Sequence, residues 1–354
     1  MNPKKNPLAS VIIVNFNGLN HIKKCLLSIK KNNYKNFEVV VVDNGSQDGS
    51  REFLIKKMRA DKRVRVIFLR ENMGPAFARN VAVSNSIGTY LSFLDNDTKV
   101  DRFWLSKSIT FMENNGNIGA CQCQLLLMDD HKKIDYVGDY LTRTGFLMQP
   151  FKMGDRAKSI PDETKEIFAA KSAGMIVKRK AFETAGGFDS DYFIYVEETD
   201  LCWRIWLTGY EIVYFPKSVV YHKFGTSYRL FPEFQSFLAR FHGSKNYIST
   251  LIKNLSAQEL LLILPLHLIL WMIVAFQQIL TLKIKSGMYI LKGIFWVPFN
   301  LPSLLAKRKV IQSKRVIDDK ELFEHILQPI NIKYFFDKFF SKSTVKGFKA
   351  INEK

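Results

Sequence analysis

Between Leu8 and Leu94 the chain alternates short, β-branched apolar runs with longer runs in which apolar residues recur at helical spacing. The short runs predict strands at Ser10–Asn15, Phe37–Asp43, Val64–Arg70 and Tyr90–Leu94. Their near-continuous apolar character, rather than alternation, fits strands covered on both faces of a sheet. The longer runs predict helices at Asn20–Lys31, Asp48–Lys57 and Pro75–Ser84, with Asn20 and Asp48 as N-caps and Pro75 in a first turn. Strand and helix in strict alternation make a βαβ series, so the fold class is α/β with a mainly parallel central sheet. Ligands of such sheets collect beyond the carboxyl ends of the strands, where Asn15, Asp43, Arg70 and Asp95 fall.

The pattern loosens from Met128 to Glu166, which reads as a variable loop or insertion, and tightens again from Ile167 to Tyr228. Beyond residue 228 the composition shifts, which divides the chain into segments 1–228 and 229–354. Residues 260–282 carry no Asp, Glu, Lys or Arg, and as helix would reach roughly 34 Å, enough to cross a bilayer. Pro265, His267, Gln277 and Gln278 suit a packed or interfacial helix better than a lipid-exposed one. A second apolar stretch, 288–306, is broken by Lys292, Pro298 and Pro302 and predicts a re-entrant or surface-lying segment.

Charge adds a direction. The formal net charge is +19, and Lys283–Lys354 holds fifteen basic residues against six acidic ones. Such a surplus suits an anionic partner. Lys307, Arg308, Lys309, Lys314 and Arg315 follow the apolar stretches directly, where anionic headgroups would attract them. No zinc spacing, recognition helix or aromatic RNA-binding signature accompanies the charge, which argues against nucleic acid. The N-terminal apolar run is interrupted at Asn15, Asn17 and Asn20 before an export-signal core forms, and the four cysteines have neither metal nor disulfide-framework spacing. Reduced thiols in the cytosol are expected.

The sharpest chemical feature is the turn Asp95-Asn96-Asp97 at a strand end, two carboxylates one residue apart. Hard divalent cations such as Mg²⁺ or Mn²⁺ take oxygen ligands of this kind and can bridge a diphosphate. Taken alone, turn chemistry explains it as well. Its company is more specific: Val39–Asp43 followed by Asn44-Gly45-Ser46 ends another strand in a carboxylate able to accept from a base imide or ribose hydroxyl, and Asn72-Met73-Gly74 opens a helix carrying Arg79. Further on, Glu197, Glu198 and Asp200 open a helix, where carboxylates complement the macrodipole and Asp200 can pair with Arg204. Trp203 and Trp206 read as packing residues. His222 ends a β-rich run.

The ordered series Val11–Asn17, Val41-Val42-Asp43-Asn44-Gly45-Ser46, Asn72-x-Gly74-x4-Arg79-Asn80 and Leu94-Asp95-Asn96-Asp97 resembles glycosyltransferase family 2, whose fold is termed GT-A. Its rhamnosyltransferase-like members of surface-polysaccharide assembly look nearest. The resemblance implies a GT-A catalytic domain over residues 1–228 and a basic, helical, membrane-associated region over 229–354. It implies a nucleotide-sugar donor (UDP-, dTDP- or GDP-linked) held by Asn15, Asn17, Asp43, Asn72, Gly74, Arg79 and Asp95. Mg²⁺ or Mn²⁺ would sit on Asp95 and Asp97, with Asp97 the direct ligand and His222 a further one. Glu198 is implied as the general base, with Asp200 the alternative, and Gly174 and Glu197 lie on the acceptor side. The implied reaction is a single displacement that inverts the anomeric centre. The implied acceptor is a glycan or polyprenyl-lipid-linked hydroxyl at the cytoplasmic face of the cell membrane, by a chain that can form oligomers. The rivals are a nucleotide-sugar-binding module without turnover and, further off, a basic nucleic-acid-binding protein. An NAD enzyme is disfavoured because no GxGxxG follows the first strand.

Overall fold

The structure is a computed structural model that describes residues 6–160, 162–223 and 232–339. Strands β1 (Ala9–Asn15), β2 (Phe37–Asp43), β3 (Val64–Phe68) and β4 (Tyr90–Asp95) alternate with helices α1 (Leu19–Lys30), α2 (Ser50–Ala60) and α3 (Pro75–Ser84). The predicted elements are present with their ends shifted by at most three residues. One capping detail differs: Gly18 and Gly49 occupy the N-cap positions. Asp48 nonetheless serves both helices, accepting from the backbone N–H of Leu19 at 2.8 Å and of Ser50 at 3.1 Å.

The chain continues through β5 (Thr98–Val100), α4 (Trp104–Asn114), β6 (Ile118–Leu127), β7 (Asp130–Tyr136), β8 (Tyr140–Thr142), β9 (Leu147–Met148), β10 (Lys165–Glu166) and β11 (Met175–Lys178). Then come α5 (Arg179–Ala185), α6 (Glu197–Leu207) and β12 (Glu211–His222). The large sheet runs β10-β12-β6-β11-β4-β1-β2-β3, with β5 paired to β12 and β7 to β6. Strands β3, β2, β1 and β4 are mutually parallel. Alternate residues feed two cores: Ile12, Val40, Val42 and Phe93 face α3, α5 and α6, while Val11, Ile13, Val39 and Val41 face α1 and α4. This two-sided burial is why the strand sequences lack polar alternation.

The stretch 128–166, expected as a variable loop, instead contains strands. β7 folds back antiparallel on β6, and β8 joins β9 and the late strand β13 (Leu327–Gln328) in a small second sheet. Edge position explains the missed signal: His131, Lys132 and Lys133 of β7 face solvent, so charge masks the strand pattern.

The C-terminal helices are α7 (Pro232–Asn254), α8 (Ala257–Leu280), α9 (Ile284–Phe299), α10 (Leu301–Ser313), α11 (Asp319–Ile326) and α12 (Ile332–Phe339). The boundary expected at 228 lies outside the described residues. Leu251, Leu255, Ile263, Leu322, Phe323 and Ile326 join the same core as the sheet residues Ile12 and Phe93, so these helices are packed onto the α/β unit. α8 is the single helix, among the described residues, long and apolar enough to cross a membrane, and α9 and α10 meet at a 69° bend. One face of α8 is engaged: His267 Nδ1 pairs with the Thr144 carbonyl at 2.8 Å, and its Nε2 accepts from Trp271 at 2.9 Å. The opposite face exposes Leu262, Leu266, Ile269, Ile273 and Phe276.

The basic cluster corrects an expectation. Lys307 pairs with Asp189 and Asp191, Lys314 donates to the Thr184 carbonyl, and Arg315 binds Asp319. Arg308 donates to the carbonyls of Ile252 and Leu255, Gln312 to those of Lys253 and Asn254, and Arg315 also to that of Asn254. A helix ends with four unsatisfied carbonyls and a negative dipole. Two of the cations that look like a headgroup patch in the sequence, Arg308 and Arg315, therefore cap the C-terminus of α7.

Candidate functional site

β1 is followed by β2 and β3 on one side and by β4 on the other, so the topological switch point lies between β1 and β4. Open α/β sheets bind ligands outside the carboxyl ends of the strands at such a point. Asn15 ends β1 there, and Asp95 ends β4 opposite Val14. Asn96, in the turn, donates to Asn15 Oδ1 at 2.8 Å.

Asp97 follows in the same turn, and the chain then enters β5. That three-residue strand pairs antiparallel with the end of β12, in the register Thr98 to His222. This pairing carries His222 across more than a hundred residues to Asp97, with Nε2 3.3 Å from Oδ1. Its other ring nitrogen lies 2.7 Å from Asp135 Oδ2 on β7. Asp95, Asp97 and His222 each offer a ligand atom, all within 4.8 Å of one another. Two carboxylates and an imidazole are a donor set that suits Mn²⁺ and is acceptable to Mg²⁺. Burial opposes ionisation of Asp97, but the His222 imidazole outweighs it and holds the carboxyl below its ordinary range. Burial likewise opposes charge on His222, and the flanking Asp97 and Asp135 override it, raising the imidazole well above its ordinary value. Asp135 went unread in the sequence because β7 itself did. An outer carboxylate on one imidazole nitrogen fixes which nitrogen faces a metal.

On the other side of Asp95 lies Arg79. Its guanidinium sits 3.3 Å from Asp95 Oδ1, 2.9 Å from Glu197 Oε1 and 3.7 Å from Glu198 Oε1. Arg79, expected beside donor phosphate, lines the cleft as a buried cation shared by three carboxylates, two of them from the start of α6. Burial pushes the Glu197 carboxyl up to about 7, with the Glu198 charge adding and Arg79 opposing. Burial also raises Asp95, aided by Asp97 and Glu198 and opposed by Arg79. Glu198 accepts from the Ser172 N–H at 2.7 Å and from the Ser172 hydroxyl, and its side chain keeps 22% exposure.

The approach to Glu197 and Glu198 is strained. Tyr195 and Val196 have φ of 67° and 68°, a region that costs a β-branched residue on the order of 1–3 kcal/mol. Asn246 of α7 pins this turn, donating through Nδ2 to the carbonyls of Ile194 at 3.0 Å and Tyr195 at 2.7 Å. Gly74, at φ 81°, lies under it: a Cβ there would come 2.3 Å from the Phe193 carbonyl oxygen. Asn246 and Ser172 carry no sequence signature, since only packing brings them to these carboxylates.

Several expected site residues lie elsewhere. Asp200 is wholly buried, with one oxygen on Arg204 and the other on Lys253 and Asn254. These cations outweigh the burial penalty and hold it below the ordinary range. It faces away from the cleft because it sits half a helical turn from Glu198. Glu197 points onto Arg79 and is 4% exposed, so its side chain forms part of the cleft floor. Gly174 lies within the sheet, where a Cβ would meet Leu125 at 2.6 Å. Its role is close packing.

On the donor side, Asn15 donates to Asp43 and Ser46, and Asp43 accepts from the Ser46 N–H at 3.0 Å. Both are buried, 0% and 1% exposed, and hold the loops after β1 and β2 together. Asn17 bonds to the Gln47 N–H, and Asn72 accepts from Asn44 and the Gly74 N–H. Asn17 and Asn72 are partly exposed at this rim, while Asn15 and Asp43 set its shape from below.

Asp95, Arg79, Glu197, Glu198 and Lys171 line a cleft of about 550 Å³ that continues to Arg240, Gly243, Tyr247 and Trp271 of the C-terminal helices. That volume is typical of a small-molecule site.

Comparison with known proteins agrees with this geometry. An uncharacterized glycosyltransferase of Haemophilus influenzae is 35% identical over 140 residues, 37% of this chain and 56% of that protein. The putative teichuronic acid biosynthesis glycosyltransferase TuaG of Bacillus subtilis is 37% identical over 106 residues, 30% of this chain and 42% of that protein. The chain thus spans about half the length of these relatives. Among solved structures, the mannosyltransferase PcManGT of Pyrobaculum calidifontis, in complex with GDP-Man and Mn²⁺, superposes with a TM-score of 0.54 at 16% identity, covering 88% of this chain and 87% of that one. The fold is the GT-A α/β fold with an added C-terminal helical region. The model of glycosyl transferase family 2 matches residues 10–180, so that segment of the chain is similar to glycosyl transferase family 2.

Proposed function

We propose that this chain transfers a sugar from a nucleoside-diphosphate donor to a hydroxyl of a glycan or lipid-linked acceptor, with inversion. The observation that carries the reading is the grouping of Asp95, Asp97 and His222 at the switch point, with Glu198 next to it on the cleft. A divalent cation held by those three residues would neutralise the donor diphosphate and the departing nucleoside diphosphate. Glu198 takes the acceptor proton as the acceptor oxygen bonds to the anomeric carbon and the bond from that carbon to the phosphate oxygen breaks. Ser172 and Arg79 hold the Glu198 carboxylate in one orientation. Asp95, shared between Arg79 and the metal-ligand group, couples the two halves of the site. One displacement inverts the centre.

The similarity to TuaG, a putative teichuronic acid biosynthesis glycosyltransferase, supports an acceptor in surface-polysaccharide assembly, and the rhamnosyltransferase-like series supports a hexosyl or deoxyhexosyl donor. The apolar outer face of α8, with Met288, Phe295 and Phe299 of α9 also exposed, supports a helical region lying in the membrane interface at the cytoplasmic face. The test is release of nucleoside diphosphate from a panel of UDP-, dTDP- and GDP-sugars with Mn²⁺, Mg²⁺ or EDTA, using the full chain and its Asp97→Asn and Glu198→Gln variants. Turnover that is indifferent to EDTA, or full activity in both variants, overturns the reading.

A further inference from the structure

The cleft extends well past the proposed base, and the helices beyond residue 232 build its far wall. Arg240, Gly243 and Tyr247 of α7 fall at i, i+3 and i+7, one stripe of a helix, and all three line the cleft. Trp271 of α8 closes it, its ring 6.4 Å from that of Tyr247, with Phe146 5.3 Å from Trp271 on the remaining side.

Gly243 is the informative member. It sits in the interior of a 23-residue helix, where glycine is less stable than alanine. It is shielded from solvent, yet a Cβ at that position would meet nothing within 4 Å among the described residues. Packing against the described residues does not require the glycine, and Gly243 itself lines the cleft.

Charge is divided along this space. The Asp95 end is acidic, and its cation, Arg79, is already shared by three carboxylates. The other cations of the lining are Lys171, whose ammonium lies 4.1 Å from the Tyr136 ring, and Arg240. Beyond them the lining becomes aromatic, at Tyr247 and at Trp271 on the packed face of α8. A ligand that fits this order has a hydroxyl at the acidic end, an anionic group in the middle and an apolar unit against the aromatic rings.

We infer that the groove at Gly243 is an acceptor subsite for a sugar linked through a diphosphate to a lipid, with Lys171 and Arg240 on the diphosphate and Tyr247 and Trp271 against the first isoprenoid or acyl unit. The inference rests on the transferase reading given above, and it makes the C-terminal helices part of the substrate site as well as a membrane contact.

The experiment measures binding of geranyl diphosphate to the full chain by calorimetry, in the presence of Mn²⁺ and saturating nucleoside diphosphate to occupy the donor side. Inorganic pyrophosphate and geraniol are the comparison probes. Geranyl diphosphate should bind at least tenfold more tightly than either. Gly243→Leu should weaken it tenfold or more, while Gly243→Ala and Gly243→Leu melt no lower than the wild type. Lys171→Gln and Arg240→Gln should each weaken it severalfold and erase the preference over geraniol. Equal binding of pyrophosphate and geranyl diphosphate would overturn the lipid assignment. Unchanged geranyl diphosphate affinity in Gly243→Leu would overturn the subsite. If geranyl diphosphate binds as expected but no nucleotide sugar turns over, the transferase reading fails and the subsite stands.

Discussion

Replacing Arg79 by Met tests the electrostatic core of the site. The guanidinium is 8% exposed and Glu197 5% exposed, 2.9 Å apart. Glu197 Oε2 has no hydrogen-bond partner among the described residues, so Arg79 is the main compensation for a carboxylate removed from water. Breaking a buried pair by deleting one member costs about 3–5 kcal/mol, a large part of the ~5–15 kcal/mol that holds a domain folded. Part of that cost is recovered if Glu197 takes a proton, which its carboxyl, already pushed up to about 7, is poised to do. Because the folded-state value lies above the unfolded one, the folded protein binds the extra proton. Stability is then greatest below the unfolded value near 4.3 and declines as pH rises through the folded value. Without Arg79 that folded value rises further, so the deficit of Arg79→Met should be several-fold smaller at pH 5 than at pH 8. The added change Glu197→Gln should recover about half or more of the deficit at pH 8, as expected for strongly coupled neighbours. Urea denaturation of the wild type, both single variants and the double variant at the two pH values supplies the cycle. A loss below about 1 kcal/mol in Arg79→Met, or a deficit independent of pH and unaffected by Glu197→Gln, would refute the argument.

Three further outcomes follow from other parts of the site. Asp135→Asn removes the carboxylate that orients His222, and Mn²⁺ affinity measured by calorimetry should fall by about 10–100-fold; unchanged affinity would separate His222 from the metal. Val196→Gly relieves a left-handed valine and should melt within about 3 °C of the wild type, whereas Asn246→Ala removes two hydrogen bonds to that turn and should lower turnover with little change in donor KM; a loss confined to KM would show that the turn does not position Glu198. The triple change Leu266→Ser, Ile269→Ser, Ile273→Ser strips the outer face of α8 and should shift the protein from liposome-bound to free in a flotation assay, with a melting temperature changed far less than by a core substitution because those side chains are 39–56% exposed.

The first four strands and three helices were legible because they are specified locally. Hydrophobic period and turn residues act within a dozen positions, and the apolar runs of β1, β2 and β4 have no other stable use than a two-sided sheet. The Asp95-Asn96-Asp97 turn was legible for the same reason, being adjacent in sequence to the strand that presents it. Chemistry that depends on distant pairing was not legible in the local pattern, and His222 entered as a metal ligand only through the family resemblance. His222 reaches Asp97 only through the register of β5 on β12, and Asp135 reaches His222 only through the β6–β7 hairpin.

The sequence also leaves open how charges are apportioned. Glu197, Glu198 and Asp200 lie within four positions, and helix geometry alone sends each to a different neighbour: Glu197 to Arg79, Glu198 to Ser172 at the cleft, Asp200 to Arg204 and Lys253. The run of cations from Lys307 to Arg315 resembles a headgroup patch until the end of α7 supplies carbonyls for Arg308, Gln312 and Arg315. By itself the sequence determined the first four strands, the helices between them and the pair of carboxylates at the end of the fourth strand, since these follow from short-range pattern. The tertiary structure decided which ionisable groups face one another and which face the cleft, because burial and partner distance are properties of packing that no local pattern encodes.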